Sequence, residues 1–272
     1  MSDYIIRIQT DKDLGSEKFV RGLLSGWFRE VDENLRPEFF DLGEPVRRSF
    51  AAEGVDAAIH TWLSNGMSLY LRRRSKPKFL AATEWFRREK GRDPRLFPWS
   101  VTIWLSPLAG DGATSDLLRF LIRHFEPAFG LITTKRDYQG KHFPTFEDID
   151  GTTEKYLGQD ILEKDQRLPG VYWTTYFGPW AVDRIGGSHF ANLGSNVEEI
   201  DGGYLTRAYL SSSEAGSPSA QEKENQLATQ LGKNHFFDKA MVNIDALRTD
   251  AETAEMVEEK IMQMKRQGSG ND

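Results

Sequence analysis

The sequence predicts an α+β protein, with an antiparallel sheet and helices packed on one face, built as one large domain or as two similar packed lobes. Three observations predict it. Short β-prone apolar runs recur with Gly- and Pro-bearing turns between them, which favours direct antiparallel connections over long crossovers. Between these runs lie segments whose apolar residues repeat at three- and four-residue spacing, as in helices that bury one stripe. The chain of 272 residues also holds seven Trp and 17 Phe, with charges of both signs mixed along it, so a sizeable core can form.

The elements follow in order. Residues 4–9 read as a strand ending in a Lys/Asp/Gly turn. The clearest helix comes next: Phe19, Val20, Leu23, Leu24, Trp27, Phe28 and Val31 share one face, and Ser16 is suited to cap its start. Residues 53–64 predict a second helix, with Val55, Ile59 and Trp62 or Leu63 inward and Asn65-Gly66 at its end. Three strands are expected at 68–73, 79–86 and 99–105. A helix carrying Leu117, Leu118, Leu121, Ile122 and Phe125 follows, capped near Ser115 or Asp116, and then a strand at 130–134.

Residues 137–169 are polar, acidic and poorly periodic. The organisation read from this is an N-terminal α+β lobe over 1–136, an acidic linker or loop excursion over 137–169, a C-terminal α+β lobe over 170–240, and a helix and tail over 241–272. The second lobe is expected to run from a strand at 171–177 into a helix at 179–185. A hairpin turning at Asp201-Gly202-Gly203, a return strand at 204–210 and a helix at 220–231 ended by Gly232 complete it. In the last helix, Ala254, Val257, Ile261 and Met264 form a narrow stripe behind Thr249 and Glu252, which either packs on the protein's own body or makes a homodimer seam.

Composition narrows the function. There is no cysteine, which excludes disulfides, thiolate catalysis and cysteine metal sites and suits a reducing compartment. The start of the chain lacks a basic and apolar leader, and no run reaches the roughly 18 apolar residues of a membrane helix, so the expected location is the cytoplasm with no membrane partner. The net charge of −6 disfavours a nucleic acid partner. Its distribution is uneven: residues 141–201 hold 11 acidic and 5 basic residues, whereas 68–95 hold 10 basic and 3 acidic.

A search for chemistry returns little. The five histidines, His60, His124, His142, His189 and His235, have no helical zinc spacing. Phosphate-cradling loops, dinucleotide fingerprints and nucleophile elbows are missing from the sequence, so no cofactor, metal or catalytic residue is expected. Glu147, Asp148 and Asp150 lack the alternation of a calcium loop and read as a solvated or partner-facing acidic surface. The run from Arg72 to Lys78, near Tyr70, Phe79 and Trp85, reads as a charged hairpin end more readily than as a nucleic acid surface.

The most distinctive stretch runs Leu168-Pro169-Gly170-Val171-Tyr172-Trp173-Thr174-Thr175-Tyr176-Phe177-Gly178-Pro179-Trp180, followed by Ile185-Gly186-Gly187. As a strand it would place Val171, Trp173, Thr175 and Phe177 on one face and Tyr172, Thr174 and Tyr176 on the other. Gly178 would stop it and Pro179 would open a helix. Gly170, Val171, Tyr172, Trp173, Phe177, Gly178, Pro179 and Gly186 therefore read as structural.

The same stretch resembles the immunity protein 52 family and related type VI secretion immunity proteins of polymorphic toxin systems. The resemblance implies a non-enzymatic α+β protein that binds and occludes a cognate toxin, commonly a nuclease effector. An acidic surface would complement such a toxin's basic face, with Asp148, Asp150, Glu154, Asp160, Glu163 and Asp165 as candidate contacts and Trp180 as a candidate anchor. A secretion adaptor and a hydrolase are the alternatives.

Overall fold

The computed structural model describes residues 3–65, 68–84, 99–142, 145–148, 151–154 and 167–238. Strand β1 (Tyr4–Thr10) leads into helix α1 (Glu17–Glu30), where the Ser16 side chain accepts from the Phe19 N–H as the predicted cap. Short strands β2 (Phe39–Asp41) and β3 (Arg48–Ser49) precede α2 (Phe50–Asn65), which is kinked at Gly54. Strands β4 (Ser68–Arg73), β5 (Phe79–Glu84) and β6 (Trp99–Leu105) then form a meander. Helix α3 (Gly110–Phe125) starts five residues before the predicted Ser115 cap, because it grows directly out of the 3-10 turn Pro107–Ala109.

Strand β7 (Phe129–Thr134) runs into α4 (Lys135–His142), so the segment expected as a polar excursion begins with a helix that buries Asp137, Tyr138 and His142. A small hairpin, β8 (Thr145–Asp148) and β9 (Gly151–Glu154), follows. The C-terminal portion comprises β10 (Thr174–Phe177), α5 (Pro179–Ile185), α6 (Gly187–Ala191), β11 (Val197–Ile200), β12 (Gly203–Arg207) and α7 (Pro218–Gln230). The predicted turn at Asp201-Gly202 is present; both residues have positive φ, which the paired turn of a tight hairpin requires. The expected helix at 249–264, and the homodimer seam on it, lie outside the described residues.

Ten strands join one antiparallel sheet in the order β11-β12-β10-β7-β1-β6-β5-β4-β2-β3. Pairing of β10 with β7 carries it across the 137–169 segment, so one sheet runs through both halves of the described chain. Every residue of β1 is buried, and Ile6 lies between Ile103 of β6 and Ile132 of β7. A strand buried on both faces needs cover on both. Accordingly α1, α2 and α3 pack on one face around Trp27, Trp62, Phe120 and Phe125, while α4 to α7 supply the other with Tyr138, Ala181, Phe190 and Leu227. The α+β class and the antiparallel sheet are as predicted. Helices flank both faces rather than one, because every residue of β1, β7 and β10 is buried, on both sides of the sheet.

Three buried tryptophans satisfy their indole N–H groups on backbone carbonyls: Trp27 on Leu35 at 2.9 Å, Trp62 on Leu14 at 2.9 Å and Trp173 on Tyr209 at 3.1 Å. A polar staple closes the far side of α3. Tyr4, Ser211 and Ser212 all donate to the Asp111 carboxylate, holding the segment after β12 against β1 and α3. Burial alone would raise the Asp111 pKa, but these hydrogen bonds outweigh it and hold the group below the usual aspartate value.

Candidate functional site

Where α4, α7 and the Gly170–Trp173 segment meet, a cleft of about 610 Å³ opens over a buried polar cluster. Its floor is set by helix geometry. Asp137 and Lys141 stand one turn apart on α4, so their side chains meet at 2.9 Å. Thr133, at the end of β7, donates to the same carboxylate oxygen at 2.6 Å. The Lys141 ammonium donates twice more, to the Val171 carbonyl at 3.0 Å and to Glu224 of α7 at 2.9 Å. Glu224 accepts from the Tyr209 hydroxyl at 3.0 Å through its other oxygen. All three ammonium protons of Lys141 are thus engaged, and its Nζ also lies 4.3 Å from the centre of the Tyr172 ring.

The electrostatics follow from burial. Glu224 has its pKa pushed up to about 7, by burial first and by the nearby Asp137 charge, against the pull of Lys141. Burial and the Glu224 charge likewise raise the Tyr209 hydroxyl. Tyr172 is fully buried, hydrogen-bonds His142, donates to the Pro169 carbonyl at 3.2 Å and stacks near Tyr138. The rim adds Arg136, Lys233, Asp238 and the aromatic pair Phe236 and Phe237. Leu168 ties the rim down: its N–H donates to the His235 carbonyl and its carbonyl accepts from Phe237, both at 2.8 Å.

This arrangement ties α4, α7 and the Val171 carbonyl together and presents mixed charge around a polar floor. Its lysine is fully committed, so it does not offer the free amine that nucleophilic or base catalysis needs. Among the described residues no group of three or more His, Asp or Glu is placed to hold a metal ion. No helix there is long and apolar enough to cross a membrane.

The predicted site residues are placed unevenly. Asp150, Asp160, Glu163 and Asp165 lie outside the described residues. Asp148 pairs with Gly151 beside the turn of the small hairpin, and Glu154 pairs with Thr145 at its other end. Trp180 is half-buried on the first turn of α5, packed against the core on the α4 to α7 face with the Arg184 guanidinium 5.9 Å from its ring.

The distinctive stretch departs from the expected alternation. Regular strand begins only at Thr174, because the Tyr172 N–H turns onto the Thr175 hydroxyl at 2.9 Å. Trp173 therefore enters the core under α1, α2 and α3 with Tyr176, while Val171, Tyr172 and Phe177 enter the core on the α4 to α7 face. Trp173 and Phe177, expected on one face, sit on opposite faces, both fully buried. Gly170 and Gly186 have positive φ, and Pro179 occupies the first turn of α5. A Cβ on Gly178 would run directly into the Pro127 carbonyl oxygen.

Sequence reasoning missed Asp137, Lys141, Tyr209 and Glu224. The four-residue spacing of Asp137 and Lys141 was the one local signal, and nothing local joins them to Tyr209 or Glu224.

No protein-family model matches the chain, and no curated protein matches it. Among solved structures it is similar in fold to "Pseudomonas aeruginosa T6SS protein PA0821", with a TM-score of 0.55 at 12% identity, over 86% of this chain and 73% of that one.

Proposed function

We propose that this chain is a cytoplasmic immunity protein, not an enzyme, that binds and occludes a cognate toxin, a nuclease effector of a type VI secretion or related polymorphic toxin system. The observation that carries this reading is the fold likeness, over 86% of the chain, to a Pseudomonas aeruginosa T6SS protein. The Gly170–Trp180 stretch supports it independently through its resemblance to the immunity protein 52 family. The polar cluster under the α4–α7 cleft agrees with a binding role, since its charges are consumed in holding the surface together. Acidic residues between Asp148 and Asp165 are the contacts proposed for a basic toxin face.

The test is co-expression with the toxic domain encoded beside this gene, scoring host growth and co-elution on a sizing column. Rescue with a stable complex is expected. Rescue without a complex would point to enzymatic protection, and a complex with a secretion component without any effect on growth would replace this reading with the adaptor one.

A further inference from the structure

One end of the sheet collects exposed apolar side chains. Strand register puts the ends of β1, β4, β6 and β7 at the same level, with Tyr4 opposite both Leu105 and Thr134, and Phe79 opposite both Arg73 and Leu105; Arg207, the end of β12, is level with Ile132 of β7, two residues short of it. Just beyond that level, Leu108 is 67% exposed and Leu210 is 87% exposed. Trp104, one residue before the end of β6, is 37% exposed. These are three of the four exposed large hydrophobics among the described residues.

The same end carries unspent positive charge. The register Arg72–Leu80–Trp104 places these residues in one row on one sheet face, and Lys78 lies beside them in a hollow of about 610 Å³ that Asp3 and Glu44 also border. Lys135 is exposed where β7 passes into α4. Among the described residues the side chains of Arg72, Lys78 and Lys135 make no hydrogen bond or ion pair. By contrast, Asp111 at this end is fully engaged by Tyr4, Ser211 and Ser212.

At a strand spacing of about 4.8 Å, the distance from β4 to β12 is about 29 Å, roughly the width of a standard interface patch of about 800 Å² per partner. Exposed apolar side chains interspersed with cations can meet both the apolar and the anionic groups of a partner protein. On a chain with net charge −6, a cationic end also directs an anionic partner to itself.

We infer that this end is a docking surface for an acidic segment of the partner protein that carries aliphatic or aromatic side chains. The identity of that partner as the toxin rests on the immunity reading. The surface uses none of the acidic residues between 148 and 165, and it predicts that the toxin is gripped through an acidic patch as well as through any basic face. Leu108 and Leu210 favour a protein over a nucleic acid, because exposed aliphatic side chains give bases nothing to stack on.

The experiment measures binding of the full chain to the purified toxic domain, with its catalytic activity disabled, across salt concentrations. Leu210→Asp and Leu108→Asp, at sites too exposed to disturb folding, are expected to weaken binding at least tenfold. Lys78→Glu with Lys135→Glu should slow association and flatten its salt dependence, while Arg21→Glu on the exposed side of α1 should leave both unchanged. If wild type forms no complex, the immunity reading itself fails and this assignment with it. If wild type binds and the Leu and Lys variants bind equally well, only the docking assignment fails. A single-stranded oligonucleotide bound by wild type and lost by the Lys variant, at unchanged toxin affinity, would overturn it in favour of nucleic acid.

Discussion

Lys141 and Glu224 stand 83 residues apart in the chain and 2.9 Å apart in the fold, and theirs is one of the contacts that ties α7 to α4. Asp137 shares the lysine, so one partly exposed ammonium compensates two carboxylates that are nearly inaccessible to water.

Replacing Lys141 by Met leaves both carboxylates without their cation. The expected loss is about 3–5 kcal/mol, the usual cost of breaking a buried pair from one side. It is read as a lower midpoint in urea unfolding. The double variant Lys141→Met with Glu224→Gln should recover part of the loss, and a purely additive result would show that the two groups are not coupled.

Glu224 makes stability depend on pH in a defined direction. Its folded pKa is about 7, against 4.5 for the free group, so between these values the folded state holds a proton that the unfolded state has released. Stability from this group therefore falls as pH rises through that window, by on the order of 3 kcal/mol in all. Thermal unfolding of Glu224→Gln should lack this decline; a wild-type and variant pair with parallel pH curves would contradict the assignment.

Gly178→Ala should destabilise by about 1–3 kcal/mol or more, since the added methyl meets the Pro127 backbone rather than a side chain that can turn aside. Its effect should appear in unfolding midpoints, and an alanine variant as stable as wild type would show that the β10–α5 junction can relax.

Trp173→Ala removes a fully buried indole that stacks near Tyr4 at 6.3 Å and bonds the Tyr209 carbonyl. A loss of about 3–5 kcal/mol is expected. Trp173→Phe should lose less, and the difference between the two reports the hydrogen bond and the residual cavity.

Much of the fold was legible because its signals are local. The 3- and 4-residue spacing of Val20, Leu23, Leu24 and Trp27 is a property of one helix, and the strands at 68–73 and 99–105 begin and end as expected. The pairing of β7 with β10 was not legible, since two strands buried on both faces carry no mark of which neighbour they take. Trp173 shows the limit in one residue: the hydrogen bond that the Tyr172 N–H donates to the Thr175 hydroxyl breaks the alternation that placed it beside Phe177. The polar cluster was hidden for a related reason, as its four members come from α4, the segment after β12 and α7.

The position of β1 in the sheet also sets a schedule. Its two neighbours are β6 and β7, so β1 is made well before either and is not sealed on both edges until the chain has reached residue 134. At about 5–20 residues per second that interval lasts roughly 6–25 s, and until β6 has been made within it this seven-residue strand has neither of its partners. Contacts this distant in sequence also slow folding of the finished chain. A nascent chain stalled before β6 would therefore leave this strand unpaired on both edges, and chaperone demand should concentrate on that early window of synthesis.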